Sequence, residues 1–149
     1  MLFRGNKTVK MDPKGRLKLP SPIPDRLRKQ YGEDSGYFVT SLDERTVLIY
    51  ALSEWERIEN SISQAPQFDE LPNRFLTIAG HWGDEATLDA QDRMLIPAKL
   101  REGLGIDGEV TLVCHPNRIE LHSAAAYQAV VAQSKLGPAD FPRLKELGI

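Results

Sequence analysis

Near its start the chain alternates apolar and polar residues. Val9 and Met11 flank Lys10, and after Asp12-Pro13-Lys14-Gly15 the alternation resumes with Leu17 and Leu19 around Lys18. A period of two predicts two short strands, each with one face in a core. Asp first, Pro second and Gly fourth is the order a type I turn prefers, with Gly15 free to take a positive φ. Asp12 can accept hydrogen bonds from the turn amides, and Arg16 begins the second strand close enough to pair with that carboxylate or to point outward. The pattern turns Leu17 and Leu19 inward and Arg16 and Lys18 outward. It predicts a two-stranded ribbon gathering Lys10, Lys14, Arg16 and Lys18.

The same pattern returns as Asp89 to Pro97. At an offset of 77, Asp12 meets Asp89, Arg16 meets Arg93 and Pro20 meets Pro97, while Leu17 and Leu19 meet Met94 and Ile96. Both copies continue through a short helical pattern, ending near Leu27 or Leu104, to a β-rich run: "GYFVTSLDERTVLIY" or "EVTLVCHPNRIELH". Each copy predicts strand, tight turn, strand, short helix, then a hairpin built on Asp43–Arg45 or on His115–Arg118. Between the copies, "SEWERIENSIS" predicts an amphipathic helix with Trp55, Ile58 and Ile62 on one face, Ser53 as N-cap and Glu56 at the capping-box position. Pro66 ends it, and "DELPNRFLTIAG" carries a second helix to Gly80. "SAAAYQAVVAQS" is helical, Gly137-Pro138 breaks it, and "FPRLKELGI" makes a last turn.

Composition bounds the class. With 41% hydrophobic and 27% charged residues in 149, the chain has enough apolar material to fold as one domain or two very small ones. No stretch approaches the roughly 18 apolar residues of a membrane helix. The start, MLFRGNKTVK, lacks the apolar core of a signal peptide. The single cysteine, Cys114, cannot close an internal disulfide, so a reducing cytoplasm is expected.

Net charge is only −2, but its distribution is uneven. Residues 1–30 carry nine basic and two acidic side chains; the rest carries ten basic and nineteen acidic. A basic face on an acidic body suits a polyanion. A basic β-ribbon is narrow enough to enter a DNA major groove. A solvent-exposed hairpin whose lysines only maintain solubility is the other reading, and the ribbon alone leaves both open. The second copy keeps the turn but not the charge: Leu95 replaces Lys18, and Phe75–Ser123 holds four basic against eight acidic residues. That contrast suggests a division of labour, with the first copy meeting the polyanion and the second completing the fold or meeting a neighbouring subunit.

An enzyme is not expected. His81, His115, His122 and Cys114 match no zinc spacing, nothing marks a base for Cys114, and no glycine-rich phosphate loop is present.

The two Asp-x-x-x-Arg motifs, Asp12…Arg16 and Asp89…Arg93, each precede an alternating strand and a proline. With "MLFRGNKTVKMDPKGRLKLP", "ALSEWERIE" and "GHWGDEATLDAQDRMLIPAKLRE", they resemble the MraZ family, a branch of the SpoVT/AbrB-like DNA-binding superfamily, over about residues 1–130. The resemblance implies an α+β, mainly β fold: two tandem SpoVT/AbrB-like units interleaved into a pseudo-two-fold swapped-hairpin barrel with flanking helices. With the repeat, it divides the chain into a basic, DNA-facing first unit (1–52), a helical linker (53–74), a second unit (75–123) and a helical tail (124–149). It implies a cytoplasmic, nucleoid-associated transcriptional regulator that forms a ring-like homo-oligomer. Its partner would be double-stranded DNA, as short direct repeats upstream of its own division and cell-wall gene cluster. No cofactor, membrane or small-molecule substrate is implied. Carried over by position, the DNA-contacting loop is Lys14, Gly15 and Arg16, with Lys10, Lys18, Arg4 and Lys7 as phosphate contacts; Asp12, Asp89 and Arg93 serve the turns. The sequence departs from the pattern at Asp92, which stands where the first copy has Gly15, so contact by the second loop does not carry over. Nor do the two arginines that single-unit relatives place after the strand proline, since Pro24 and Asp25 stand there. A ring-forming interaction module without a specific DNA role is the competing expectation.

Overall fold

A computed structural model describes residues 4–149. The first alternating stretch forms β1 (Asn6–Lys10) and β2 (Arg16–Lys18), then come α1 (Ile23–Tyr31), β3 (Tyr37–Thr40) and β4 (Val47–Ala51). Helices α2 (Leu52–Ser63) and α3 (Glu70–Trp82) lead into the second copy. That copy is β5 (Asp84–Ala86), β6 (Arg93–Leu95), α4 (Ala98–Leu104), β7 (Glu109–Cys114) and β8 (Ile119–Ser123). Helices α5 (Ala124–Gln133) and α6 (Phe141–Glu146) form the tail. The order strand, turn, strand, helix, hairpin thus occurs twice, and the fold is α+β. No helix among the described residues is long and apolar enough to cross a membrane.

Within each copy only the predicted hairpin pairs with itself, β3 with β4 and β7 with β8; the other ladders cross between the copies. A six-stranded antiparallel sheet runs β1-β7-β8-β4-β3-β5, and β2 pairs with β6 in a separate two-stranded sheet. Exchanging each strand for its counterpart in the other copy reverses the six-strand order onto itself. Strand β1 lies on β7 with Lys10 opposite Glu109, and β5 lies on β3 with Ala86 opposite Tyr37. The edges β1 and β5 are not joined, so the expected closed barrel is not formed by the strand ladders.

This pairing corrects the ribbon expected from the sequence. The Asp12–Arg16 turn does not close a β1–β2 ribbon; beyond it β1 is zipped to β7, where Met11 donates its N–H to Gly108 O at 2.8 Å, while β2 turns away to β6. Lys7 and Lys10 therefore lie in the large sheet, with Arg4 just before it, and not beside Arg16 and Lys18. The helix after β4 also starts earlier than its capping signature suggests. Strand β4 runs directly into α2, with Ala51 in the N-cap position and Leu52 N–H bonded to Gly36 O, so Ser53 is already inside the helix and caps nothing.

Alternation decides which residues meet. Leu17, Met94 and Ile96 (all 0% exposed) and Leu19 fill the space between the small sheet and the large one, against Val39, Ile49, Val110, Leu112 and Leu121. Met11 is buried and Val9 packs at the margin of this core. Strand β4, VLIYA, is buried along its whole length because both its faces are covered. On its outer face Leu48 and Tyr50 meet Trp55 of α2 and Ala79 of α3, and Trp55 stacks on Phe38 with ring centroids 4.6 Å apart. Of the stripe read from the sequence, Trp55 and Ile58 form the seam that holds α2 on the sheet.

Candidate nucleic-acid interface

The two Asp-x-x-x-Arg turns have the same geometry. In the first, Asp12 Oδ1 accepts the N–H groups of Lys14 (2.9 Å) and Arg16 (2.8 Å), and Oδ2 accepts Arg16 Nε at 2.7 Å. In the second, Asp89 Oδ1 accepts from Gln91 (2.8 Å) and Arg93 (2.9 Å), and Oδ2 accepts Arg93 Nε at 2.9 Å. Each aspartate thus closes its turn and also fixes the arginine that opens the next strand. The backbone N–H of Arg16 is the largest influence holding the Asp12 carboxyl below its usual pKa; that of Arg93 does the same for Asp89. Among the described residues, both arginines spend only Nε on these bonds, leaving the Nη groups for another acceptor.

Gly15 takes φ +84°, and Asp92 takes φ +61° at the matching place. Aspartate is among the few residues that tolerate the left-handed region. Here it also receives Arg28 of α1, whose Nη2 lies 2.5 Å from Asp92 Oδ1. The first turn has the converse arrangement. Arg101 of α4 donates Nε to Ile96 O at 2.9 Å and lies over Gly15, where a Cβ would come within 2.2 Å of its Cζ. Each turn is therefore covered by an arginine from the helix of the other copy. The departure from pattern at Asp92 changes the charge of the second turn but not its shape.

The β2–β6 register sets out the exposed surface. Arg16 lies opposite Leu95, Leu17 opposite Met94, and Lys18 opposite Arg93. Leu17 and Met94 point into the core, so Arg16, Lys18, Arg93 and Leu95 share the outer face. Lys18 is exposed, and the side chains of Arg16 and Arg93 are 33% and 28% accessible. Lys14 is exposed at the tip of the first turn. Of the residues expected to contact a polyanion, the structure brings Lys14, Gly15, Arg16 and Lys18 together and leaves Arg4, Lys7 and Lys10 on or beside β1. Arg93, expected to serve its turn alone, stands in the same patch as Lys18. Arg101 is an addition the sequence did not reveal, because it depends on α4 of the second copy lying over the first turn. Leu95, read in the sequence only as a lost charge, joins the face through the β2–β6 register.

A second polar cluster lies on the β7–β8 hairpin. Glu120 accepts Arg118 Nη2 at 2.8 Å and Nε at 2.9 Å, with His122 Nε2 at 3.1 Å and His115 Nε2 at 3.3 Å from its other oxygen. Burial pushes the Glu120 carboxyl up, but bonds from His122 and Arg118 outweigh it and hold the group at about 2, below the ordinary 4.5. A depressed carboxylate contributes stability that is complete above its unfolded pKa and is lost as pH falls through the folded one. The wild-type protein should therefore lose stability between pH 4.5 and about 2. Glu120→Gln should be less stable at neutral pH by about 1–3 kcal/mol and show a flatter acid limb in chemical denaturation. Burial also pushes the Cys114 thiol up to about 12, leaving it protonated and a poor nucleophile at neutral pH. Among the described residues, no group of three His, Cys, Asp or Glu side chains is placed to hold a metal ion.

The chain is thus a duplicated α+β protein whose two matched turns present one cationic strand pair. Comparison with known proteins places it within a family. A family model described as "MraZ protein, putative antitoxin-like" matches residues 2–78 and 83–140, and the chain belongs to the MraZ family. A protein of Acidobacterium capsulatum named Transcriptional regulator MraZ is 34% identical over 148 residues, 99% of this chain and 100% of that one. A Koribacter versatilis protein of the same name is 28% identical over 148 residues, again 99% and 100% of the two chains. One from Thioalkalivibrio sulfidiphilus is 36% identical over 121 residues, 80% of this chain and 79% of that one.

Proposed function

We propose that the chain is a sequence-specific DNA-binding transcriptional regulator. It binds repeated sites upstream of its own division and cell-wall gene cluster, through the face formed by β2 and β6. The observation that carries this reading is the row of Arg16, Lys18 and Arg93 on one exposed strand pair, with both arginines held by aspartates. A guanidinium fixed through Nε presents its remaining N–H groups at little further entropic cost, which suits bidentate contact with guanine or phosphate. Lys14 and Arg101 flank the row as phosphate contacts. Arg4, Lys7 and Lys10, in or beside the other sheet, fit an outer phosphate track. The regulatory role comes from relatives that carry the name transcriptional regulator. No catalytic step is assigned to any residue.

The same reading takes residues 1–52 and 75–123 as two SpoVT/AbrB-like units interleaved about a pseudo-two-fold axis, with 53–74 linking them and 124–149 as tail. The cross-copy pairings β1–β7, β5–β3 and β2–β6 support it. A single strand pair is a small contact surface, so ring assembly would let several subunits engage successive repeats. Exposed Phe68 (95%), Leu71 (61%) and Phe141 (51%) supply apolar surface for such a ring. A mass above that of a dimer is expected in sedimentation. The working place of such a regulator is the cytoplasm, at the nucleoid.

Titration against duplex DNA from the chain's own upstream region, at two salt concentrations, tests the function. Affinity should fall with a slope of about −0.9 in log–log form per phosphate neutralised. Weak, salt-independent association would favour the ring as a protein-interaction module.

A further inference from the structure

The face that carries Arg16, Lys18 and Arg93 has four outward positions, and the fourth is Leu95. Leu95 is 54% exposed and plays no part in the core, which Leu17 and Met94 already fill on the opposite side of the same strands. At the matching place the first copy has Lys18. An aliphatic side chain surrounded by three cations gains nothing from water, and a lysine there would fit the charge of the face better if phosphate were the only target. The cations bring a polyanion to the patch. Within a DNA major groove, the one apolar group on a base edge is the 5-methyl of thymine.

We infer that Leu95 is a specificity-determining residue that packs against the 5-methyl group of a thymine when β2 and β6 enter the major groove. This rests on the DNA-binding reading above. The substitution of Leu95 for a second Lys18 also breaks the two-fold equivalence of the face. The strand pair therefore reads one orientation of its site, with the thymine on the side of Leu95 and Arg16.

The test uses the full chain and a duplex recovered by selection from a randomised DNA pool. Each thymine is replaced in turn by deoxyuridine, which removes only the methyl group. Wild-type affinity should fall about fourfold at one thymine of each repeat, the value expected for one buried methyl, and further where several subunits bind together. Leu95→Ala should bind the thymine probe more weakly and treat thymine and uracil alike at that position, with unchanged oligomer mass and Tm. Three results would overturn the assignment: wild-type binding indifferent to uracil everywhere, equal uracil discrimination in wild type and Leu95→Ala, or a changed oligomer mass in the variant. If selection enriches no sequence, the DNA-binding reading itself falls, and Leu95 with it. The two failures are therefore distinct.

Discussion

Arg16→Ala and Arg93→Ala are each expected to weaken binding to repeat-containing DNA by about 1–3 kcal/mol per site, multiplied wherever several subunits engage one probe. Both arginines stand on the same face, each held through Nε by its own aspartate. Neither change should disturb folding much. Asp12 and Asp89 keep their bonds to backbone N–H groups, and a partly exposed ion pair is worth about 0–1 kcal/mol. Gel shift on one probe, with Tm and oligomer mass measured in parallel, separates the effects. A charge count alone assigns DNA contact to the first copy only, since the second is acidic. The register of β2 against β6 argues for both. Normal DNA binding by Arg93→Ala would restore the division of labour between the copies.

The largest loss of stability is expected from Leu17→Ala. Leu17 lies opposite Met94 at the centre of the small sheet, and both are 0% exposed. Removing a fully buried leucine side chain costs about 2–5 kcal/mol, the upper part of that range where the site cannot collapse. Leu17 sits between two sheets built from both copies, so the damage should not stay in the first copy. Chemical denaturation followed by tryptophan fluorescence and by far-UV circular dichroism should show one coincident transition, shifted to lower denaturant. Trp55 reports α2, Trp82 reports the end of α3 where the second copy begins, and the dichroism reports the whole chain. Two separated transitions would mean that the copies fold independently, contrary to β1, β2, β5 and β6, which find strand partners only in the other copy.

The alternation of Leu17 and Leu19 with Arg16 and Lys18 was legible because a half-buried strand must write its two faces in turn. The turn was legible because Asp12 and Gly15 are needed by its hydrogen bonds and its positive φ. The repeat gave the order of elements for the same reason twice over. Strand partners were not legible. Nothing local distinguishes β1 pairing with β2 from β1 pairing with β7, and the choice is made by packing at long range. Lys10 was therefore expected beside Arg16 and stands opposite Glu109. Asp92 looked like a fault in the second turn because its sequence neighbours cannot reveal Arg28, 64 positions away. Ser53 and Glu56 form a sound capping signature, overridden because β4 enters α2 without a break. Leu95 was legible only as a lost charge and Arg101 not at all, since the place of each is set by the other copy.

Hydrogen–deuterium exchange of the full chain, with and without repeat-containing duplex DNA, tests the central claim most directly. Slowed exchange is expected in two separate peptides, one spanning Asp12–Lys18 and the other Asp89–Leu95, with α5 and α6 unchanged. Protection confined to the first peptide, or appearing instead on α2 and α3, would contradict a shared face made by both turns.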